Sequence, residues 1–306
     1  MATLEHPYAN IDQSQPLRGN LHAHTTHSDG DRSRREVVAD YAQRGYDFLM
    51  LSDHDVFTSP EELREVTEND LILIPGNEIT ADGPHMLHIA AERRVDPHVD
   101  RQRCLDAVSQ QGDGIVVACH PNWSYPRGKA DFNHCSLENL RNWNGFCGLE
   151  IYNGVIGRLN GSPYATNKWD LLLSEGRKLW GFANDDSHAT TGDVELGWNV
   201  VWAAERTPAG IVDALRQGRF YASTGVAITG IRVEDAHVQI ETADAQRVVA
   251  ITQHGQRLKV ADGPHIEVEV PADAGYVRFE CWGTGEKFAW TQPFWVTSPP
   301  EPQSPS

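Results

Sequence analysis

Six times between Gly19 and Thr224 a short apolar run of strand-like composition ends in histidines and carboxylates, with helix-start signals between several of the runs. GNLHAH closes on His22 and His24, and YDFLMLS leads into Ser52-Asp53-His54-Asp55. Leu71 to Pro75 leads to Gly76-Asn77-Glu78, Met86 to Ala91 carries His88, and GIVVAC precedes His120-Pro121-Asn122-Trp123. LWGFAN ends in Asp185-Asp186-Ser187-His188. Buried strands alternating with helices pack as α/β layers, and in parallel β/α barrels the loops after the strands line one face where chemistry collects.

The punctuation between the runs agrees. Ser33 with Glu36 makes a capping box for a helix through about Arg44, stopped by Gly45, and Ser59-Pro60-Glu61-Glu62 repeats the signal. Asp100 opens a helix toward Gln111, Ser136 caps a short one, Ser162-Pro163 begins one carrying Trp169, and Thr207-Pro208 starts the last. CGLEIYN reads as a strand ending near Asn153. Beyond Thr224 the segments VAITGIRV, HVQIE, RVVAIT, HIEVEV and YVRFECW are short and β-branched, with turn residues between them. The expected organisation is a polar lead-in over 1–18, an α/β domain over 19–224, a small all-β domain over 225–297 and a disordered tail over 298–306.

Composition narrows the function. The formal net charge of −17 repels polyanions, so a grip on duplex nucleic acid is disfavoured, while a small anionic substrate is accommodated if cations are held locally. Five cysteines without a CxxC pair fit a reducing compartment better than a disulfide framework. Mean hydropathy is −0.48, no run of ~18 apolar residues occurs, and the N-terminus lacks a basic-then-apolar leader. A cytoplasmic protein with no membrane partner is the expectation.

Eight of the 14 histidines (His22, His24, His27, His54, His85, His88, His120 and His188) fall in or beside the strand-end clusters. His22 and His24 are two apart, so on a strand both imidazoles face the same side and can share a cation. Asp29 follows a Thr/Ser-rich turn that folds its carboxylate back toward them. Imidazoles mixed with a few carboxylates suit Zn²⁺, Mn²⁺ or Fe²⁺ better than Mg²⁺ or Ca²⁺. One ion cannot use nine donors (His22, His24, Asp29, His54, Glu78, His88, His120, Asp186 and His188). Two or three divalent ions could, with Glu78 as the bridge in the middle of the set. Metals ~3.5 to 4 Å apart bring a bound water's pKa toward ~7 and clamp the attacking and leaving oxygens, which is hydrolysis chemistry.

These motifs, LHAHTTHSDG, LSDHD, GNEIT, HMLHIA, ACHPNW and NDDSHA, resemble in order those of the polymerase and histidinol phosphatase (PHP) superfamily of metal-dependent phosphoesterases. The resemblance covers Gly19 to Thr224 and implies a distorted (β/α)7 TIM-like barrel. It implies one metal on His22, His24, Glu78 and Asp186, a second on Glu78, His88 and His120, and a third on Asp29, His54 and His188. His85 and His88 compete for one slot, and His88 is preferred because HIA sits on the expected strand. GLEIYNG and the β-rich end look like the branch holding nucleotide phosphatases and carbaryl-type carbamate hydrolases.

The expected enzyme is therefore a phosphoesterase cleaving a small phosphate monoester or diester through a hydroxide bridging the metals, with Glu78 at its centre. His85 or His27 would protonate the leaving oxygen. Carbamate or amide hydrolysis at the same centre is the alternative, and a non-catalytic metal- or carbohydrate-binding protein is the alternative from another class. Asn122, Trp123 and Asn153 lie where a substrate could reach, and Arg158 and Lys168 could meet a phosphate. Asp53, Asp55 and Asp185 read as groups that orient ligands or cap turns. The β-rich end either shapes the mouth or joins subunits of a homo-oligomer.

Overall fold

The computed structural model describes residues 3–124, 134–159 and 161–297. Leu17–Asn20 pairs in parallel with Phe48–Met50, which pairs in parallel with Ile72–Ile74. On its other side Leu17–Asn20 takes Trp198–Val201 antiparallel. A second sheet runs Gly76–Ile79, Met86–Ile89, Ile115–Ala118, Gly148–Asn153 and Trp180–Asn184. Leu21, Phe48, Met50, Leu87, Val117 and Phe182 pack in one buried cluster between these walls. Burying each such side chain contributes roughly 1.5 to 3 kcal/mol.

Among the described residues the ladders do not close into a barrel. The two sheets meet through isolated bridges at their polar ends, Ala23 with Ser187 and His54 with Glu78, both parallel. His24 N donates to Ser187 O at 2.8 Å and Glu78 N to Ser52 O at 3.2 Å. The sheets are thus stitched at the end where the metal-seeking side chains gather.

One strand runs against the expected pattern. Met86–Ile89 is antiparallel to both Gly76–Ile79 and Ile115–Ala118. Only residues 80–85 separate it from the preceding strand, and a parallel crossover needs a dozen residues or more. A turn is all that fits.

The helices follow their caps. Arg34–Gln43 and Pro60–Val66 each carry a complete capping box, from Ser33 with Glu36 and from Ser59 with Glu62. Asp100, Ser136 and Thr207 cap Arg101–Ser109, Leu137–Asn142 and Pro208–Arg216. The Ser162-Pro163 start is displaced, and the helix is Thr166–Ser174 with no side-chain cap. Tyr164 bridges Tyr152 and Asn153 N donates to Pro163 O, so tertiary pairing holds residues 163 and 164 extended. No helix among the described residues is long and apolar enough to cross a membrane.

The C-terminal third is all β. Ile228–Glu234, His237–Thr242 and His265–Glu269 form one antiparallel sheet. It shares a core with Arg247–Thr252 and Tyr276–Trp282 through Val238, Ile240, Ile266, Val248 and Phe279. The two parts of the chain are not separate sheets, because Phe220–Ser223 pairs with Phe288–Thr291 and carries hydrogen bonding across the expected boundary at 224. The lead-in is also structured in part. Thr3–Glu5 adds as an edge strand to Phe294–Thr297, which the polar texture of residues 1–18 did not announce. The tail expected to be disordered, 298–306, lies outside the described residues.

Candidate metal centre

The chain extends past Leu17–Asn20 as Leu21 to His24, held by His22 N on Asn20 Oδ1 at 3.0 Å and by His24 N on Ser187 O. The two-residue spacing works as the strand period requires. His22 Nε2 and His24 Nε2 both lie 3.4 Å from Glu78 Oε2, and 3.1 and 3.2 Å from Asp186 Oδ1. Both rings are wholly buried.

Glu78 sits at the middle. It lies next to the end of Gly76–Ile79 with its carboxylate fully buried and meets three further imidazoles. His54 Nδ1 lies 2.7 Å from Oε2, while His85 Nδ1 and His120 Nε2 lie 3.0 and 3.5 Å from Oε1. A second focus opens toward solvent, where Asp29 Oδ1 lies 3.4 Å from His54 Nε2, 3.3 Å from His188 Nε2 and 3.8 Å from His24 Nδ1. The Asp29 carboxylate is more than half exposed, so the centre runs from a sealed floor to an open mouth.

Two turns aim these groups at a cost in backbone strain. His120 has φ 27° and Asp186 has φ 58°, in the left-handed region that non-glycine residues rarely adopt. His120 is held there by its own N–H on Glu150 Oε2 at 2.8 Å. The turn at 185–188 sends neighbouring carboxylates opposite ways. Asp185 accepts from Leu196 N, Gly197 N and Tyr41 Oη, while Asp186 enters the centre. Asp53 likewise holds the Thr25–Ser28 turn, and Asp55 accepts from Thr80 N and Ala81 N.

Burial and charge oppose one another here. Burial would raise the Glu78 carboxyl, but His22, His85 and His54 beside it hold it well below the usual carboxylate range. Burial would lower His22, yet Asp186, Glu150 and Glu78 push it well above the ordinary imidazole value. His54 is raised to about 10, with Glu78 and Asp29 outweighing its burial, whereas burial lowers His24 to about 4. Buried carboxylates this close to one another need positive charge among them.

A divalent cation fits this donor set. His22 Nε2, His24 Nε2, His85 Nδ1 and both Glu78 oxygens are buried without a hydrogen-bond partner, and their lone pairs converge. Leaving such atoms unsatisfied costs roughly 1 to 3 kcal/mol each, so the arrangement makes sense as a ligand shell. Among the groups whose donor atoms stand within short reach of one another are His22, His24 and Asp186; His54, Glu78 and His85; and His24, Asp29, His54 and His188.

His88 is not in this centre, and His85 stands where His88 was expected. Across the antiparallel pair Glu78 faces Leu87 and Asn77 faces His88, so His88 projects from the opposite face of the sheet to Glu78. His85 shares parity with Leu87 and thus with Glu78. Because Met86–Ile89 runs backwards, its beginning rather than its end lies at the polar rim. His88 is fully buried, and burial alone lowers its pKa to about 4.

The other candidates divide. His27 is exposed on the turn above Asp29. Trp123 packs edge-on against His120 and tilted against His134. Asn122 donates to Tyr164 O and Asn167 Oδ1, which places it in loop packing. Asn153 is buried with its amide on Glu150 Oε2 and Asp186 Oδ2, so it positions carboxylates and does not present itself to a substrate. Lys168 is buried and donates to Pro121 O and Cys135 O, which ties down the backbone after His120. Its burial brings it to about 8. Arg158 pairs with Asp193, whose carboxylate in turn accepts from His188 N and Ala189 N.

Two participants have no strand-end signature. Glu150 lies inside Gly148–Asn153, fully buried, and accepts from His22 Nδ1, Asn184 Nδ2, His120 N and Asn153 Nδ2, each at 2.8 Å. A lone charge in the otherwise apolar GLEIYN was the available signal. His134 stands beside His85 and His120, accepting His85 N at 2.8 Å on its Nε2, and nothing local in sequence points to it.

No family model matches the chain, and no curated protein matches it in sequence. Among solved structures it is similar to a two-domain protein from Bacteroides vulgatus containing a predicted PHP-like metal-dependent phosphoesterase, at 17% identity and TM-score 0.55, over 95% of this chain and 90% of that one. A putative metal-dependent phosphoesterase from Bifidobacterium adolescentis overlaps more loosely, at 17% identity and TM-score 0.41, over 57% of this chain and 89% of that one. An amidohydrolase from Chromobacterium violaceum does so at 14% identity and TM-score 0.37, over 57% and 89%. With a two-part likeness spanning almost the whole chain, the protein shares the fold of that two-domain protein from Bacteroides vulgatus with its predicted PHP-like part.

Proposed function

We propose that this chain is a metal-dependent hydrolase of small phosphate esters. The observation that carries the reading is Glu78, a sealed carboxylate ringed by His22, His24, His54, His85 and His120 at 2.7 to 3.5 Å, with neither oxygen in hydrogen-bond alignment with a donor. Two or three divalent ions would be held by His22, His24, Glu78 and Asp186, by Glu78, His85 and His120, and by Asp29, His54 and His188. Such ions, when bound, supply Lewis-acid polarisation and an ionised water.

The chain's own residues do the rest. Glu150 fixes the ring of His22 through Nδ1 and leaves Nε2 facing the centre. Asn153 orients Asp186, and Lys168 anchors the loop after His120. The open side at Asp29 and His188 is where a substrate enters, and bound cations would offset the repulsion that an otherwise acidic protein presents to its negative charge. Of the two proton-donor candidates, His85 faces Glu78 and belongs with the metal set, which leaves His27 on the exposed turn.

The test is turnover of phosphate monoesters and diesters by metal-stripped protein reloaded with Mn²⁺, Zn²⁺ or Fe²⁺, with aryl carbamates alongside. Hydrolysis of a phosphate ester that depends on the added ion is the expected result. Silence on every phosphate ester with all three ions rejects the proposal, and hydrolysis of carbamates alone replaces it.

A further inference from the structure

Cys119 directly precedes His120 at the end of Ile115–Ala118 and is completely buried. A buried free cysteine usually packs as a small apolar side chain. Cys119 belongs to one apolar cluster with Leu21 and Val117, and its Sγ donates weakly to Val117 O at 3.9 Å, but the sulfur also faces polar groups. Cys119 Sγ belongs to a set of donor atoms with His22, Glu78 and His120 that all lie within 4.8 Å of one another. Independently of the cysteine, His22 Nε2 and both Glu78 oxygens are wholly buried, unpartnered and aimed into that space. The remaining cysteines of the described residues, Cys104, Cys135, Cys147 and Cys281, enter no such group.

We infer that Cys119 supplies a sulfur donor at the sealed end of the metal centre and biases it toward a thiophilic cation, Zn²⁺ or Fe²⁺, over Mn²⁺; this rests on the metal-hydrolase reading above. Zinc bonds of ~2.3 Å to sulfur and ~2.0 to 2.1 Å to nitrogen put tetrahedral donors about 3.5 Å apart. The four donor atoms, all within 4.8 Å of one another, would have to draw in to that spacing to share one ion. On binding, the Sγ–H bond breaks, the proton passes to solvent, and the sulfur electron pair forms the bond to the cation. No oxidation state changes. Soft thiolate ligands favour zinc and iron, whereas the harder Mn²⁺ gains little from sulfur.

The experiment loads metal-stripped full-length protein with Co²⁺ and records its electronic spectrum, comparing wild type with Cys119→Ala, Cys119→Ser and the control Cys147→Ala. Thermal unfolding of each metal-free form reports whether it is folded. The expected result is a near-ultraviolet sulfur-to-cobalt charge-transfer band that both Cys119 variants lose and Cys147→Ala keeps, with the visible cobalt bands retained throughout. Zn²⁺ affinity of Cys119→Ala falls about tenfold or more, while Mn²⁺ affinity changes by less than about threefold. Visible bands without a charge-transfer band in wild type, or a band that survives in Cys119→Ala, overturn the sulfur ligand and leave the metal centre standing. Equal losses for Zn²⁺ and Mn²⁺ overturn the selectivity. Failure to bind Co²⁺ at all removes both the inference and the reading beneath it.

Discussion

His22 Nδ1 bonds to Glu150 Oε1 at 2.8 Å, and that contact decides which nitrogen of His22 faces Glu78 and Asp186. A carboxylate behind a ligating imidazole fixes its tautomer and raises its basicity. Glu150→Gln keeps the shape but weakens this hold. Metal affinity measured by titration calorimetry is expected to drop about 10- to 100-fold while far-ultraviolet circular dichroism stays the same. Unaltered affinity would show that His22 is positioned by its backbone alone.

Glu78→Gln removes the shared charge from the midst of five imidazoles. Turnover is expected to disappear, and metal content measured by plasma emission spectrometry to fall by at least one ion per chain. The C-terminal sheets, whose core of Val238, Ile240, Val248 and Phe279 lies elsewhere, stay folded. Retained activity would move the bridging role to Asp186.

His85 and His88 separate by function. His85→Ala is expected to lose activity by about 100-fold or more, in line with loss of a group at the centre. His88→Leu is expected to stay within about threefold of wild type, since His88 occupies the other face of the sheet. The reverse pattern in a steady-state assay would restore His88 to the ligand set.

The same residue has a pH signature. Burial depresses the His88 pKa in the folded state from 6.5 to about 4, so between these values the unfolded chain binds the extra proton. The associated stability is present above pH ~6.5 and is lost as pH falls toward 4. Urea unfolding of the metal-free protein should therefore show wild type losing about 2 kcal/mol more than His88→Leu between pH 7 and pH 5. Parallel losses would mean that His88 is not dry in solution.

Arg278 joins the β-rich third to helix Thr166–Ser174 through two bonds of 2.7 Å to Asp170, both groups buried. Asp170→Ala leaves a buried guanidinium with the weaker contact to Glu280 Oε2 at 3.4 Å, and breaking a buried pair costs about 3 to 5 kcal/mol. Thermal unfolding should register this as a markedly lower midpoint for the whole chain. A shift confined to a minor transition would show that the two parts unfold independently.

Much of this arrangement was legible from residue order, because local rules act over a few positions. Ser33 with Glu36 and Ser59 with Glu62 satisfy helix-end N–H groups whatever surrounds them, and both helices begin there. His22 and His24 share a side because a strand alternates every residue. Each strand-end cluster carries donors that cannot be buried apart, and the centre brings most of them together.

What remained was decided by register and long-range pairing in the tertiary structure, although the short gap over residues 80–85 already allowed only a turn. The turn at residues 80–85 reverses one strand, and that reversal exchanges His85 for His88 at the rim. Glu150 and His134 join the centre because the sheet and a loop carry them to His22 and His85 from far along the chain. Asn153 and Lys168, plausible substrate contacts by position, are spent on Asp186 and on the Pro121 and Cys135 carbonyls. Polar groups taken from water must find partners inside, and which partner each one finds is settled only when the whole chain has folded.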